Sequence, residues 1–284
     1  IGFKKKWQFS KLCCSLLRQY KPMKMIRMVP QITYTLLFSI LSFFLASCGG
    51  EAPNQQPEAL TQNGYDSGVL VFSKTEGFRH NSIEAGGEAI MRLGEEHGFG
   101  VTWTENSSYF TGDSLSSYDA VIFLNTTLDV LDEQQQSEFE QYIRSGGGFV
   151  GIHSASDTEY DWQWYGNLVG AYFDNHPGNP NVREAVVTKV MQEHPSVQHL
   201  DDRWRRADEW YNFGFISESI NVILELDTDS YEGSDHPGDH PVSWFQEYDG
   251  GRSFYTAMGH TSESFSEPEF LEHLLHGIRF AMGE

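Results

Sequence analysis

Cysteine is nearly missing from this sequence: of its 284 residues only Cys13, Cys14 and Cys48 carry a thiol. Everything after Cys48 therefore lacks a disulfide, a thiolate metal ligand and a thiol nucleophile, and several enzyme classes fall away with them. Basic residues are thin over the same stretch. Residues 1–47 hold eight Lys or Arg and no acid, which leaves 11 basic against all 40 acidic residues from 48 onward, a formal charge of −29 (11 − 40). So acidic a surface repels nucleic acid and anionic polymers and suits a neutral or cationic ligand, although solubility in a saline habitat alone explains most of the excess. The apolar run from about Ile32 to Ala46 is about 15 residues, short of the roughly 20 that span a bilayer comfortably.

That run follows the basic segment Met23-Lys24-Met25-Ile26-Arg27 and ends Leu45-Ala46-Ser47-Cys48-Gly49. A basic start, a short apolar stretch and small residues at the end read as a secretory signal over 23–47. A cysteine directly after Ala46-Ser47 resembles the bacterial lipoprotein signal, which implies lipid on Cys48 and a place in the cell envelope, periplasmic or outer-membrane. An uncleaved membrane anchor is the competing reading. Residues 1–22 precede the better start at Met23 and read as upstream translated sequence. Residues 48–67 are rich in Gln, Pro, Asn and Glu and read as a flexible tether. Residues 68–284 fit one α/β domain, with no internal repeat and no second linker.

Within that domain short apolar runs alternate with helical patterns. Val69–Phe72, Phe99–Trp103, Ala120–Leu124 and Gly148–Ile152 read as buried parallel strands. Between them lie a helix capped by Asn81 with Glu84 three residues on, and a second from Asp132 to Gly146 with Phe139, Tyr142 and Ile143 on one face. This βαβαβ rhythm predicts a mainly parallel sheet flanked by helices. Val182–Val190, Val222–Leu226, Val242–Phe245 and Arg252–Met258 predict an antiparallel extension, and Glu269–Met282 a closing helix.

Five motifs put a histidine or carboxylate where a strand ends: Gly77-Phe78-Arg79-His80, Gly148 to Ser154, Asn175-His176-Pro177, Asp208-Glu209-Trp210-Tyr211 and Met258-Gly259-His260. Open α/β sheets bind ligands at that edge. His153 emerges straight from a glycine-rich strand and is the first candidate for a general base, since imidazole needs little tuning near neutral pH. Its bland alternative is a histidine that fixes the loop through backbone hydrogen bonds. Ser154 and Ser156 lack the Gly-x-Ser-x-Gly elbow of a serine hydrolase. Glu209 and His260 join His153 as catalytic candidates. Adjacent acids on a strand face opposite ways, so one of Asp208 and Glu209 enters the site, and Glu209 is preferred.

Arg79, His80, His176, Asp208, Trp210 and Tyr211 are the substrate-binding candidates: Arg79 for an oxyanion or else for a surface salt bridge, Trp210 and Tyr211 for a sugar ring. Imidazoles with a carboxylate also suit a divalent metal, though no His-x-x-x-His helix marks one, so the ligand set stays unassigned. His194, His236, His240, His273 and His276 read as turn, packing or surface residues.

In the order and spacing of these motifs the chain resembles the trehalose-utilisation (ThuA-like) family over roughly Val69 to Gly283. The resemblance rests on Lys74 to His80, Gly146 to His153, Asp208 to Tyr211, and Gly251-Arg252 through Gly259-His260. It implies a flavodoxin-like fold, as in class I glutamine amidotransferases, whose cysteine nucleophile follows a central strand. Here that strand leads to His153, so thiolate amidotransferase chemistry is excluded. The family further implies a small carbohydrate ligand, trehalose or a related glycoside, with a sugar hydroxyl oxidised to a 3-keto group in one variant of the chemistry. A non-catalytic sugar-binding lipoprotein, using Trp162, Trp164, Trp210 and Tyr211, is the alternative to an enzyme.

Overall fold

The computed structural model describes residues 59–284 except Pro237. The signal, Cys48 and the tether up to residue 58 lie outside the described residues. From there the chain runs β1 (Leu60–Thr61), β2 (Gly68–Phe72), α1 (Ile83–His97), β3 (Gly100–Thr104), α2 (Gly112–Leu115), β4 (Ala120–Leu124), α3 (Glu133–Arg144) and β5 (Gly148–Ile152). The second half adds α4 (Gln163–Val169), β6 (Ala171–Asn175), β7 (Val182–Lys189), β8 (Arg203–Glu209), β9 (Asn212–Ile216), β10 (Asn221–Asp227), β11 (Pro241–Tyr248), β12 (Gly251–Thr256) and α5 (Pro268–Met282). The expected tether is too long at its far end, because Leu60 and Thr61 pair antiparallel with β3 and the Gln62 N–H reaches the Val101 carbonyl.

One ten-stranded sheet has the order β1-β3-β2-β4-β5-β12-β11-β10-β7-β8. The five strands β3, β2, β4, β5 and β12 are mutually parallel. Taken by first appearance, that block is the 2-1-3-4-5 order of flavodoxin-like folds. Every residue of β4 and β5 is buried, which is why these strands read as unbroken apolar runs rather than as alternation. β11 returns into β12 through Asp249-Gly250, both with positive φ, the conformation a two-residue hairpin needs. Beyond β11 the sheet continues antiparallel through β10, β7 and β8, as the sequence predicts. β6 and β9 form a separate two-stranded sheet.

Helix α3 has the capping box expected of it, with Asp132 and Gln135 bonded reciprocally, and buries Phe139, Tyr142 and Ile143. Helix α1 departs from expectation. Its N-cap is Ser82 rather than Asn81, and the Ser82 hydroxyl donates to the Gly259 carbonyl instead of capping. That bond ties the loop after β2 to the loop after β12, at the edge where the motifs gather.

Candidate functional site

Four strands deliver the site. The loop after β2 brings His80, β5 ends directly at His153, and β12 is followed by Gly259 and His260. Four antiparallel steps separate β8 from β12, so β8 runs in the direction of the parallel block and Glu209, its last residue, emerges at the same edge. His153 takes φ 50°, a left-handed turn rare for a residue with a Cβ. The sharp turn that the motif pattern gave no sign of is present in the backbone, with histidine at its apex. Tyr255 locks it there, its hydroxyl donating to the His153 carbonyl at 2.7 Å.

His80, His153, Glu209 and His260 converge so that one donor atom of each lies within 4.8 Å of all the others. Glu209 Oε2 is 3.0 Å from His260 Nδ1 and 3.4 Å from His153 Nε2, and those two nitrogens are 3.3 Å apart. Donors held tetrahedrally at about 2.0–2.1 Å from a zinc ion stand roughly 3.3–3.4 Å from one another. The spacings among Glu209, His153 and His260 therefore suit such an ion, and His80 completes the set within 4.8 Å. The outer contacts suit it too. The Ala257 carbonyl only accepts, so His153 Nδ1, 2.7 Å away, carries the proton and the neutral ring presents its Nε2 lone pair to the cluster. His80 Nδ1 meets Ser154 Oγ at 3.3 Å.

Electrostatics act differently on the members of the set. Burial, reinforced by repulsion from His153 and His260, pushes His80 down to about 2, so its ring is neutral. Burial alone would raise Glu209, but its bonds with His153, His260 and Asn181 outweigh that and hold it well below the usual carboxylate range. For His260, burial lowers the pKa and Glu209 more than reverses the effect.

Above the cluster opens a cavity of about 400 Å³, a size ordinary for a small-molecule site. His80, Glu209 and His260 form part of its wall; His153, fully buried, does not. Tyr211 packs on His153 with ring centroids 4.1 Å apart and on Phe173 at 4.1 Å, and Phe78 meets His80 edge-on at 4.9 Å. His176 also lines the cavity, its Nε2 3.5 Å from Glu209 Oε1.

The ThuA family model, described as trehalose utilisation, matches residues 68–281. The chain belongs to the ThuA family. A ThuA-like protein of Bacteroides uniformis shares the fold with a TM-score of 0.64 and 22% identity, over 78% of this chain and 94% of its own. One from Parabacteroides merdae gives 0.63 and 19%, over 76% and 90%. A cytoplasmic protein of Salmonella typhimurium gives 0.51 and 12%, over 75% and 98%. These likenesses establish the fold. No curated protein matches the chain.

Of the ThuA-family motifs, those ending in His80, His153, Glu209 and His260 meet in one place, while three of the expected substrate contacts lie elsewhere. Arg79 is bound by Glu84 at 2.8 Å and Glu105 at 2.7 Å and does not line the cavity. Trp210 is fully buried with its indole N–H on the Arg183 carbonyl, so it packs the core. Asp208 faces away from Glu209, as strand alternation requires, and accepts the backbone N–H groups of Gly259 and His260. It orders the loop that carries His260 and does not line the cavity. Tyr211 and His176 line the cavity as expected. Asn181, whose amide donates to Glu209 Oε1, and Phe173 went unforeseen. Asp157 also lines the cavity; it lies four residues after His153 on the same 3-10 turn, a spacing the sequence does display.

Proposed function

We propose that this ThuA-family chain is a divalent-metal-dependent enzyme that cleaves the glycosidic bond of trehalose or a related glycoside in its 3-keto form. The observation that carries the reading is three imidazoles and a carboxylate with ligand atoms within 4.8 Å of one another, three of the four groups lining an aromatic-sided cavity. His80, His153, Glu209 and His260 would hold the ion. A bound cation supplies Lewis acidity toward a carbonyl or hydroxyl oxygen. His153 then serves as a ligand rather than as the base, because it has no face on the cavity. The base is His176. The Pro177 carbonyl, 3.0 Å from His176 Nδ1, only accepts, so the neutral ring presents its Nε2 lone pair beside Glu209, which stabilises the imidazolium that forms. A 3-keto group acidifies the neighbouring C2–H, the proton that such a base removes. Phe173, Tyr211 and Phe78 offer flat apolar faces to a sugar, and a strongly acidic surface favours a neutral one. Lipid attachment at Cys48 and an envelope location belong to the same reading and rest on the sequence pattern around Cys48.

The wild type is expected to bind one zinc ion per chain, and Glu209→Gln to weaken that binding by at least about 100-fold, beyond what changes to outer contacts cost. Calorimetry with zinc alone reads both, and unaltered affinity in Glu209→Gln would place the ion elsewhere. Trehalose and its 3-keto derivative, each incubated with and without chelator and followed by mass spectrometry, test the reaction. Product from the keto sugar alone, abolished by chelator, is the expected outcome. Binding without product in every condition would favour the non-catalytic sugar-binding reading instead. His176→Asn should lower turnover by about 10²–10⁴-fold, the range for losing a general base, with zinc affinity within about twofold of wild type. A parallel loss of zinc affinity would make His176 a ligand rather than a base.

A further inference from the structure

Breaking a glycosidic bond leaves an alkoxide that needs a proton, and none of the groups assigned so far supplies one. We propose that Asp157 is the general acid that protonates the departing glycosidic oxygen, an inference that rests on the glycoside-cleaving reading above. Two carboxyl groups line the cavity, Glu209 and Asp157, in contrasting surroundings. Glu209 is ringed by His153, His260, His176 and Asn181. Asp157 has one side-chain donor among the described residues, the Tyr160 hydroxyl, 2.6 Å from its Oδ1. That hydroxyl has a single proton and a second acceptor, the Phe173 carbonyl at 3.0 Å. Asp157 Oδ2 thus has no protein donor among the described residues, and the residue lines the cavity.

Burial raises the Asp157 pKa, and the Tyr160 hydrogen bond offsets it in part. The titratable groups that face it are Tyr160, His153, Tyr211 and Tyr255. The step balances. As the C2 proton passes to His176, a C1=C2 double bond forms and the C1–O bond breaks with its electron pair going to oxygen. The Asp157 proton goes to that oxygen, the alcohol departs, and solvent reprotonates Asp157.

The test compares two leaving groups on the zinc-loaded full chain: 3-keto-trehalose, which must expel a sugar alkoxide, and a 3-keto 4-nitrophenyl α-glucoside, whose phenolate departs without help. Asp157→Asn should lower kcat/KM on the first at least about 100-fold more than on the second, the general-acid range, while its zinc affinity matches the wild type. Equal losses on both would overturn the assignment and reduce Asp157 to a sugar contact. A large fall in zinc affinity would overturn it too, by making Asp157 part of the ion's surroundings. Turnover of neither compound by the wild type would remove the functional reading and the inference with it.

Discussion

Lowering the pH from 7.5 to 5 is expected to remove about 8 kcal/mol of folding stability from the metal-free protein through four buried histidines, against a total of roughly 5–15 kcal/mol for an ordinary domain. His194, His240 and His273 are buried. Burial pushes them down to about 4, about 4 and about 3 respectively. Repulsion from His276 adds to the effect on His194, whose Nε2 also lacks a partner among the described residues. For His240 and His273 the carbonyls of Tyr211 and Ser196 offset it in part. All three titrate near 6.5 once unfolded. Between 6.5 and the folded value the unfolded chain binds the extra proton, so their stabilisation is complete above about pH 6.5 and drains away as pH falls.

At pH 5 each of the three costs about 2 kcal/mol, at roughly 1.4 kcal/mol per pH unit, and His80, pushed down to about 2 by burial, costs about as much again in the metal-free protein. Unfolded carboxylates titrate near 4, below this window. His260 acts in the opposite sense: its raised pKa stabilises below about pH 6.5, and that contribution is lost as pH rises. Urea unfolding at the two pH values in the presence of chelator reads the difference. His273→Gln should shrink it by about 2 kcal/mol. A wild type equally stable at pH 5 and 7.5 would show that these rings take up protons without unfolding.

The same burial explains why much of this molecule was legible from its residues and part of it was not. β2, β4 and β5 announce themselves because strands covered on both faces must be apolar throughout, and α3 because Asp132 and Gly146 bracket a periodic face. The gathering of titratable groups at the strand ends was legible for a related reason. A histidine directly after an apolar run, as at His153, has nowhere to go but the sheet edge. β8 was hidden. Its inward face carries Arg206 and Asp208, so the alternation that marks a strand looks polar on both sides. Trp210 was misjudged because an aromatic beside two acids suggests a ligand platform, whereas the backward turn after β8 drives it into the core. Asn181 and Phe173 lie in segments whose composition says only loop and edge strand. That His80, His153, Glu209 and His260 share one ion-sized space depends on β8 running parallel to β12, four antiparallel steps away, and no local pattern encodes that.

Replacing the hidden acid should be among the most damaging single changes in the domain: Asp208→Ala is expected to cost about 3–5 kcal/mol, the penalty for orphaning a buried charge. Asp208 and Arg206 are fully buried at 3.0 Å, with the guanidinium over the Trp204 and Phe270 rings at 4.7 Å each. Arg206 would keep Ser264 at 2.8 Å and the partly exposed Glu267 at 3.2 Å. The loss does not end with the ion pair. The same carboxylate accepts the N–H groups of Glu209, Gly259 and His260 at 2.9, 2.9 and 3.0 Å. It is the clamp between the two segments that carry Glu209 and His260. The double variant Arg206→Met with Asp208→Ala separates the roles. Removing both charges relieves the guanidinium of its missing buried partner, yet three backbone donors still lack an acceptor, each worth about 1–3 kcal/mol when buried. The double variant should therefore recover only part of the stability, and zinc affinity should stay about 10–100-fold below wild type, as when outer contacts to ligands are lost. Full recovery of both would mean that Asp208 does nothing beyond neutralising Arg206, and that the geometry of Glu209 and His260 is set by the strands alone.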